Sequence, residues 1–300
     1  MRFVIGVDGG GTRSRAVVLD ERGVEIGRAE GLGSVVTQEA PEDAVRSVSE
    51  AVRSAVDRTG LALPGAVLWA GLAGAGREEA RRSVSDALAS TGLADRVHVG
   101  TDAEATFQDA FGDGPGILLI AGTGSIVWGC GNEGVWVRVG GWGQHIGDEG
   151  SGYAIGVAAL QHVLRARDGR DPPTRMTEHV LEQCGVGDAA HLVEWIGSAS
   201  KGEVAALVPI VAEAAARLDS AAVSILESAV AELESHVSSV LERTGPWEAP
   251  APLVVWGGLL AEGGALRSAT LQALERYPVS VSDVELDPPH GAATLALRHL

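Results

Sequence analysis

Asp8-Gly9-Gly10-Gly11-Thr12 follows an apolar run and combines a carboxylate, three glycines and a hydroxyl. Three glycines let the backbone come close to a ligand and turn successive N–H groups toward it, as an anion requires, and Thr12 adds a hydroxyl donor. A carboxylate cannot take phosphate directly, but Asp8 can hold a hydrated Mg²⁺ beside it. The plain alternative is a hairpin turn, although three glycines exceed what a hairpin needs. Gly122-Thr123-Gly124-Ser125 repeats the device with two glycines and two hydroxyls. Thr101-Asp102-Ala103 separates a strand-like segment from a helix-like one. An aspartate there either caps the helix or, at the carboxyl end of a strand where α/β proteins bind ligands, serves as a base. The stretch from Gly140 to Tyr153 holds Gly141, Trp142, Gly143, His145, Asp148, Glu149 and Ser151. So much glycine raises the entropy lost on ordering, which suits a loop that wraps a polar ligand with hydrogen bonds. Gly257-Gly258, after Trp256, either lets an adenine ring lie flat on backbone or makes a tight strand-to-helix turn. Gly129-Cys-Gly-Asn-Glu-Gly134 has the form of the dinucleotide fingerprint, but strand-like Val135–Val139 follows it, so it reads as a hairpin.

What is missing narrows the chemistry. Of the 23 basic residues one is a lysine, Lys201, and the rest are arginine. Lys201 lacks the preceding glycine of a G-x-x-x-x-G-K-[ST] loop, so phosphate must be handled by another device, and a Schiff base has Lys201 or nothing. Neither G-x-S-x-G nor H-E-x-x-H occurs, which removes the common serine-hydrolase and zinc-protease readings. Cys130 and Cys184 are far apart and form no C-x-x-C, against a disulfide scaffold or a paired-thiol metal site. A net charge of −17 disfavours sequence-independent nucleic-acid binding. No apolar run approaches the ~20 residues of a membrane helix, and MRFVIGVDGGG has too short an apolar core for a signal peptide. The expectation is a cytoplasmic protein with no membrane and no nucleic-acid partner.

The elements that must position these residues form a pattern that occurs twice. Phe3–Val7, Ser14–Leu19 and Val24–Arg28 read as strands joined by tight turns, followed by a helix from Pro41 with Val45, Val48, Val52 and Val56 on its apolar face. Ala66–Ala70 and Arg96–Val99 read as further strands, with helices over Arg77–Ser90 and Ala103–Phe111. Ile117–Ala121, Ile126–Gly129 and Val135–Val139 then restart the three-strand pattern. Helices follow from Ser151 to Thr244, then the strand Leu253–Trp256 and a helix near Glu262–Arg276. Two α/β halves, each opening on a glycine hairpin, point to a duplication with facing anion sites. The boundary falls at Gly114-Pro115-Gly116, giving domains 1–115 and 116–300. The helical segment 289–300 is expected to cross back onto the first domain.

The order DGGGT, TDA, GTGS, GWGQHIGDEGSGYAIG and then a double glycine before a helix resembles the actin-like sugar-kinase superfamily. More narrowly it resembles the BadF/BadG/BcrA/BcrD-type ATPases, the group that includes N-acetylglucosamine kinase. Gly71-Leu-Ala-Gly-Ala-Gly76 and Pro289-His-Gly-Ala-Ala293 fit as well, so the likeness spans essentially the whole chain. It implies two ribonuclease-H-like domains flanking a nucleotide and sugar cleft, with ATP and Mg²⁺ as cofactors. Carried over, Gly9, Gly10, Gly11 and Thr12 contact the β/γ-phosphates with Asp8 near Mg²⁺, and Thr123 and Gly124 contact phosphate from the second domain. Gly257 and Gly258 border adenosine. Asp102 is the base that takes the proton from a sugar 6-hydroxyl. Gly141, Trp142, Gly143 and Asp148 hold the hexose, with Ser125 near its amino or acetamido group. A homodimer is compatible with the resemblance.

One departure bears on the sugar. The acetamido-sugar kinases carry an asparagine in the loop after the third strand, whereas here that loop is Gly31-Leu-Gly-Ser-Val-Val-Thr37 and the protein's one asparagine is Asn132. Ser34 or Thr37 stands in its place, which leaves N-acetylglucosamine, glucosamine and related hexosamines all open. Two other readings compete: an ATPase that activates a 2-hydroxyacyl-CoA dehydratase through a shared [4Fe–4S] cluster, and a non-catalytic sugar sensor. The first needs well-placed cysteines, and Cys130 in a hairpin and Cys184 in a helix do not look like cluster ligands.

Overall fold

The computed structural model describes residues 2–11, 13–36 and 41–300. Thr12 and Thr37 lie outside the described residues. The chain divides into two compact units. Unit 1 is formed by residues up to Asp113 together with Val284–Leu300, and unit 2 is Gly114–Asp283.

Unit 1 comprises β1 (Phe3–Gly9), β2 (Arg13–Asp20), β3 (Glu25–Leu32), α1 (Pro41–Asp57), β4 (Gly65–Leu72), α2 (Glu78–Ala89), β5 (Ala94–Gly100) and α3 (Asp102–Phe111). Its sheet runs β3-β2-β1-β4-β5, with β1–β2 and β2–β3 antiparallel and β1–β4 and β4–β5 parallel. Alternate residues of the central strands face opposite layers. Phe3, Ile5 and Val7 join Val48, Val52 and Val56 of α1 and Val84 and Leu88 of α2 in one core, while Val4, Val17, Val67 and Trp69 form a second core on the other face. Burial on both faces is why β1 and β4 are apolar nearly throughout.

Unit 2 builds β6 (Gly116–Ala121), β7 (Ser125–Cys130), β8 (Trp136–Gly140) and then a helical run: α4 (Gly152–Arg167), α5 (Met176–Gln183), α6 (Leu192–Ser198), α7 (Lys201–Ala205), α8 (Val208–Ala216) and α9 (Ser220–Thr244). It closes with β9 (Ala251–Trp256), α10 (Arg267–Leu274) and β10 (Val279–Val281). The sheet order is β10-β9-β6-β7-β8. With β6 in the place of β1, this is the order of unit 1 again, with the same sense of each pairing. Two mixed sheets of one topology give the duplicated ribonuclease-H-like α/β fold. The core of unit 2 joins Ile117 and Leu119 to Ile155, Val211, Leu233, Val237 and Val240.

The last helix, α11 (Pro288–Leu297), completes unit 1: Ala292, Ala293 and Ala296 pack in its second core with Val4, Val17 and Trp69. Arg28 grips the start of this segment, donating to both carboxylate oxygens of Asp287 at 2.5 and 3.0 Å. The Asp287 N–H donates to Asp109 of α3 at 2.5 Å. The helix comes down on the sheet so closely that a methyl group on Gly6 would lie 2.1 Å from the Ala293 nitrogen, and one on Gly291 would lie 2.2 Å from the Ala105 carbonyl oxygen. The small residues of the Pro-His-Gly-Ala-Ala segment are therefore a packing requirement.

Two local expectations change, and one strand was not foreseen. The double glycine after β9 does not open a helix: turns run through Gly257–Gly264, and α10 starts at Arg267. Gly257 has φ +101°, outside any helix, and its Cα faces the Ala121 carbonyl so closely that a Cβ would lie 2.4 Å from the oxygen. The third strand extends to Leu32, four residues past the expected end. The short edge strand β10 has no sequence signal beyond its two valines.

Candidate active site

In unit 1 the Asp8–Gly11 segment is braced from below. The Ser34 N–H donates to the Gly10 carbonyl at 3.1 Å, the Gly10 N–H to the Arg13 carbonyl at 3.0 Å, and the Ala73 N–H to the Gly9 carbonyl at 2.8 Å. A side chain on Gly9 would collide with Ser34 Oγ at 2.1 Å and with Leu72 at 2.5 Å. Gly10 and Gly11 have no such conflict, so Gly9 serves packing while the next two leave the backbone accessible. Ser34 is buried, and its hydroxyl is hydrogen-bonded with that of Ser14 at 2.7 Å. The structure thus places Ser34 beneath the glycine segment, engaged with its own unit.

Asp8 and Arg15 sit directly opposite in the β1–β2 register. Arg15 donates to Asp8 Oδ2 from Nη2 at 2.8 Å and from Nε at 3.3 Å. Burial raises the Asp8 carboxyl above the usual range, and the Arg15 and Arg13 guanidiniums oppose that rise. Both Arg15 bonds fall on one oxygen. A hard carboxylate in this position has the donor chemistry of a Mg²⁺ ligand, an ion that takes one or two carboxylates and otherwise keeps waters and phosphate oxygens. Among the described residues no three His, Cys, Asp or Glu side chains gather into a metal site.

Asp102 stands at the first turn of α3, past the end of β5. The helix is capped by the residue before it. Thr101 accepts from the Glu104 N–H at 3.2 Å, and the Glu104 carboxylate accepts from the Thr101 N–H at 2.9 Å, a reciprocal capping box. Asp102 is thereby released from capping, the duty that competed with a base role. Its Oδ1 accepts from the adjacent Ala103 N–H at 3.0 Å. Burial, with the Asp8 carboxylate adding to it, pushes the Asp102 carboxyl up to about 6. A carboxylate of this basicity matches a general base working near neutral pH.

In unit 2 the turn Gly122–Ser125 is tied to the start of α4, where the Gly152 N–H donates to the Gly122 carbonyl at 2.8 Å and the Tyr153 N–H to the Thr123 carbonyl at 3.2 Å. Gly258 lies beside it, since a methyl group on Gly122 would lie 3.8 Å from the Gly258 nitrogen. The two glycine motifs expected at the nucleotide are therefore neighbours, although they are far apart in sequence. Ser125 is buried, and its hydroxyl donates to the Glu149 carbonyl at 2.6 Å. It anchors the Gly147–Gly150 turn from below.

That turn belongs to the glycine-rich loop. Gly140, Gly141 and Gly143 have φ of +72°, +68° and +91°, conformations that only glycine adopts freely. Trp142 between them is 66% exposed, and the Arg138 guanidinium stacks 4.2 Å from its ring centre. Such an exposed aromatic suits the apolar face of a sugar. Asp148 is buried and left-handed at φ +58°. Its carboxylate accepts from Lys201 Nζ at 2.5 Å. Sequence reasoning set Lys201 apart as the sole lysine but did not place it at a site, and it passed over Arg15, which the hairpin register could have paired with Asp8. Cys130 and Cys184 are buried, and burial pushes both thiols up, away from the thiolate form that ligates metal.

The family model for the BadF/BadG/BcrA/BcrD ATPase family matches residues 5–296. The chain belongs to this family. Its similarity to curated relatives includes 32% identity over 200 residues with the N-acetylmuramic acid/N-acetylglucosamine kinase of Clostridium acetobutylicum, covering 65% of this chain and 64% of that protein. It is likewise 32% identical over 201 residues to the glucosamine kinase of Vibrio cholerae, covering 65% of each. The matched region thus spans a little under two thirds of these curated relatives. Over its whole length the chain is similar to a Chromobacterium violaceum structure provisionally assigned as an N-acetylglucosamine kinase, with a TM-score of 0.82, 30% identity and 99% of both chains covered. For this member of the BadF/BadG/BcrA/BcrD family, no described helix is long and apolar enough to cross a membrane.

Proposed function

We propose that this chain is an ATP-dependent amino-sugar kinase that transfers the γ-phosphate to the 6-hydroxyl of N-acetylglucosamine, glucosamine or a close relative. The observation that carries the reading is Asp102: a carboxylate released from helix capping, beyond the end of a strand, with a carboxyl pushed up to about 6. In this role it accepts the proton of the sugar hydroxyl as that oxygen attacks phosphorus. Phosphoryl transfer otherwise asks for positioning and charge neutralisation, which backbone N–H groups supply without a P-loop. Gly10, Gly11, Thr12, Thr123, Gly124, Gly257 and Gly258 are the proposed nucleotide contacts, with Gly9 holding its own segment in shape. Asp8 would hold Mg²⁺, which neutralises phosphate charge when bound. Gly141, Trp142, Gly143 and Asp148 are the proposed hexose contacts. Ser34 and Ser125 support the backbone that faces the ligands. The three relatives named above, described as acting on N-acetylmuramic acid, N-acetylglucosamine or glucosamine, support an amino sugar as acceptor, and a reaction that draws on ATP suits the cytoplasm.

The test is a coupled ADP-release assay with MgATP against N-acetylglucosamine, glucosamine, N-acetylmuramic acid, N-acetylmannosamine and glucose. Release that depends on one amino sugar and yields its 6-phosphate is the expected result. Slow release indifferent to every sugar would overturn the reading.

A further inference from the structure

Lys201 is the one lysine among 300 residues, and unit 2 brings its ammonium to the second glycine turn. A methyl group on Gly124 would lie 2.9 Å from Lys201 Nζ and 3.3 Å from Asp148 Oδ2. The ion pair therefore rests against the backbone of the turn itself. The two partners are enclosed unequally: the Asp148 side chain is 6% exposed and that of Lys201 34%. The carboxylate is the more enclosed of the two, while the cation keeps an open side. Both are held by braced elements. Asp148 sits in a left-handed turn, a conformation that persists only where the surroundings enforce it. Lys201 begins α7, whose cap Ser200 forms a capping box with Glu203, and α7 packs on α4, the helix bonded to the turn.

An ammonium has three donors, and Asp148 takes one. The others remain available beside a turn where Thr123 is exposed and glycine leaves the backbone open to phosphate. We propose that Lys201 is a phosphate-contacting cation of this chain, carried on the buried Asp148 carboxylate and directed at the terminal phosphate of a nucleoside triphosphate seated on Gly122–Ser125. This rests on the kinase reading of the same turn. It gives Asp148 a second role, that of positioning the lysine. It also explains how a chain with net charge −17 presents a point charge to polyphosphate without a P-loop.

A merely structural lysine, present to neutralise Asp148, would affect stability and leave nucleotide discrimination alone. Calorimetric titration of ATP and AMP into wild type, Lys201→Gln and Lys201→Arg separates the two. Lys201→Gln is expected to lose about tenfold or more in ATP affinity, with AMP affinity within twofold of wild type and Lys201→Arg in between. Equal losses for ATP and AMP, or no loss, would overturn the proposal. A second measurement needs no substitution in the protein observed. Biosynthetic incorporation of ¹³C-lysine into wild type labels Lys201 alone, because the chain has one lysine, and leaves its three N–H donors intact. The Lys201 resonance is expected to shift with ATP and stay still with adenosine; an unmoved resonance at saturating ATP defeats the proposal even if Lys201→Gln fails to fold. Where wild type phosphorylates a sugar yet the resonance is unmoved, the lysine proposal falls and the kinase reading stands. Where wild type binds no ATP, both fall.

Discussion

Replacing Asp102 by asparagine is expected to slow sugar phosphorylation by about 10²–10⁴-fold while nucleotide and sugar still bind. Asparagine keeps the size of the side chain and can still accept from the Ala103 N–H, so α3 should form unchanged, its cap being Thr101 and Glu104. What disappears is an oxygen able to take a proton. The loss should appear in kcat with KM for both substrates within a few fold, because a proton accepted during the transfer stabilises the transition state and not the ground state. Near-wild-type turnover by Asp102→Asn would remove Asp102 as the base. The pH profile gives an independent check. Burial and the neighbouring Asp8 carboxylate raise the carboxyl to about 6, so the active, deprotonated form fills as pH rises through that value. kcat/KM should climb tenfold per pH unit below about 6 and level off above 7. A plateau reaching down to pH 4.5 would mean the group that matters is an ordinary carboxylate or none.

Gly6→Ala is expected to be the most damaging single-methyl addition in unit 1. Gly6 lies mid-strand in β1, opposite Val17 on one side and Trp69 on the other, so the strand cannot slide to make room. The new methyl would meet the Ala293 nitrogen at 2.1 Å, the Pro289 carbonyl oxygen at 2.3 Å and the Ala293 Cα at 2.6 Å. All three are backbone, with no rotamer to change, and α11 must lift off the sheet. Overpacking a core costs typically about 1–3 kcal/mol and more where the neighbours cannot yield. A helix lifted off also exposes Val4, Val17 and Trp69. Gly197 in α6 supplies the control: it has open space around it, and Gly197→Ala should be neutral or mildly stabilising, as helix propensity dictates. Comparing urea midpoints of the two variants with wild type tests the argument. A Gly6→Ala midpoint indistinguishable from wild type would mean that α11 does not pack as described.

The strands and the duplicated order were legible because the chain marks them twice, with apolar runs separated by glycine turns at Asp8–Thr12 and Gly122–Ser125. Asp102 was legible as a strand-end carboxylate, and the sequence also contained the answer to its rival role. Thr101-Asp-Ala-Glu104 is itself a capping-box pattern, and reading it would have freed Asp102 at once. Arg15 was recoverable from hairpin register, since seven residues across a tight turn return to the same face. The fate of Ser34 and Ser125 was not recoverable. A serine in a glycine loop can face a ligand or the protein, and the choice depends on partners such as Ser14 and the Glu149 carbonyl that tertiary packing supplies. The Lys201–Asp148 pair was hidden for the same reason, joining residues on different elements with no periodicity between them.

β1 is made long before α11, and this sets an order on the ribosome. Synthesis adds roughly 5–20 residues per second and folds each unit as it becomes whole. Unit 2 runs without interruption from Gly114 to Asp283 and can close as soon as β10 has emerged. The sheet of unit 1, although made earlier, keeps one apolar face only partly covered while the whole of unit 2 is threaded out, for want of Ala292, Ala293 and Ala296. The nascent protein thus carries a finished second half beside an unfinished first, and a ribosome that stops before Pro288 releases a chain whose oldest strands are its stickiest.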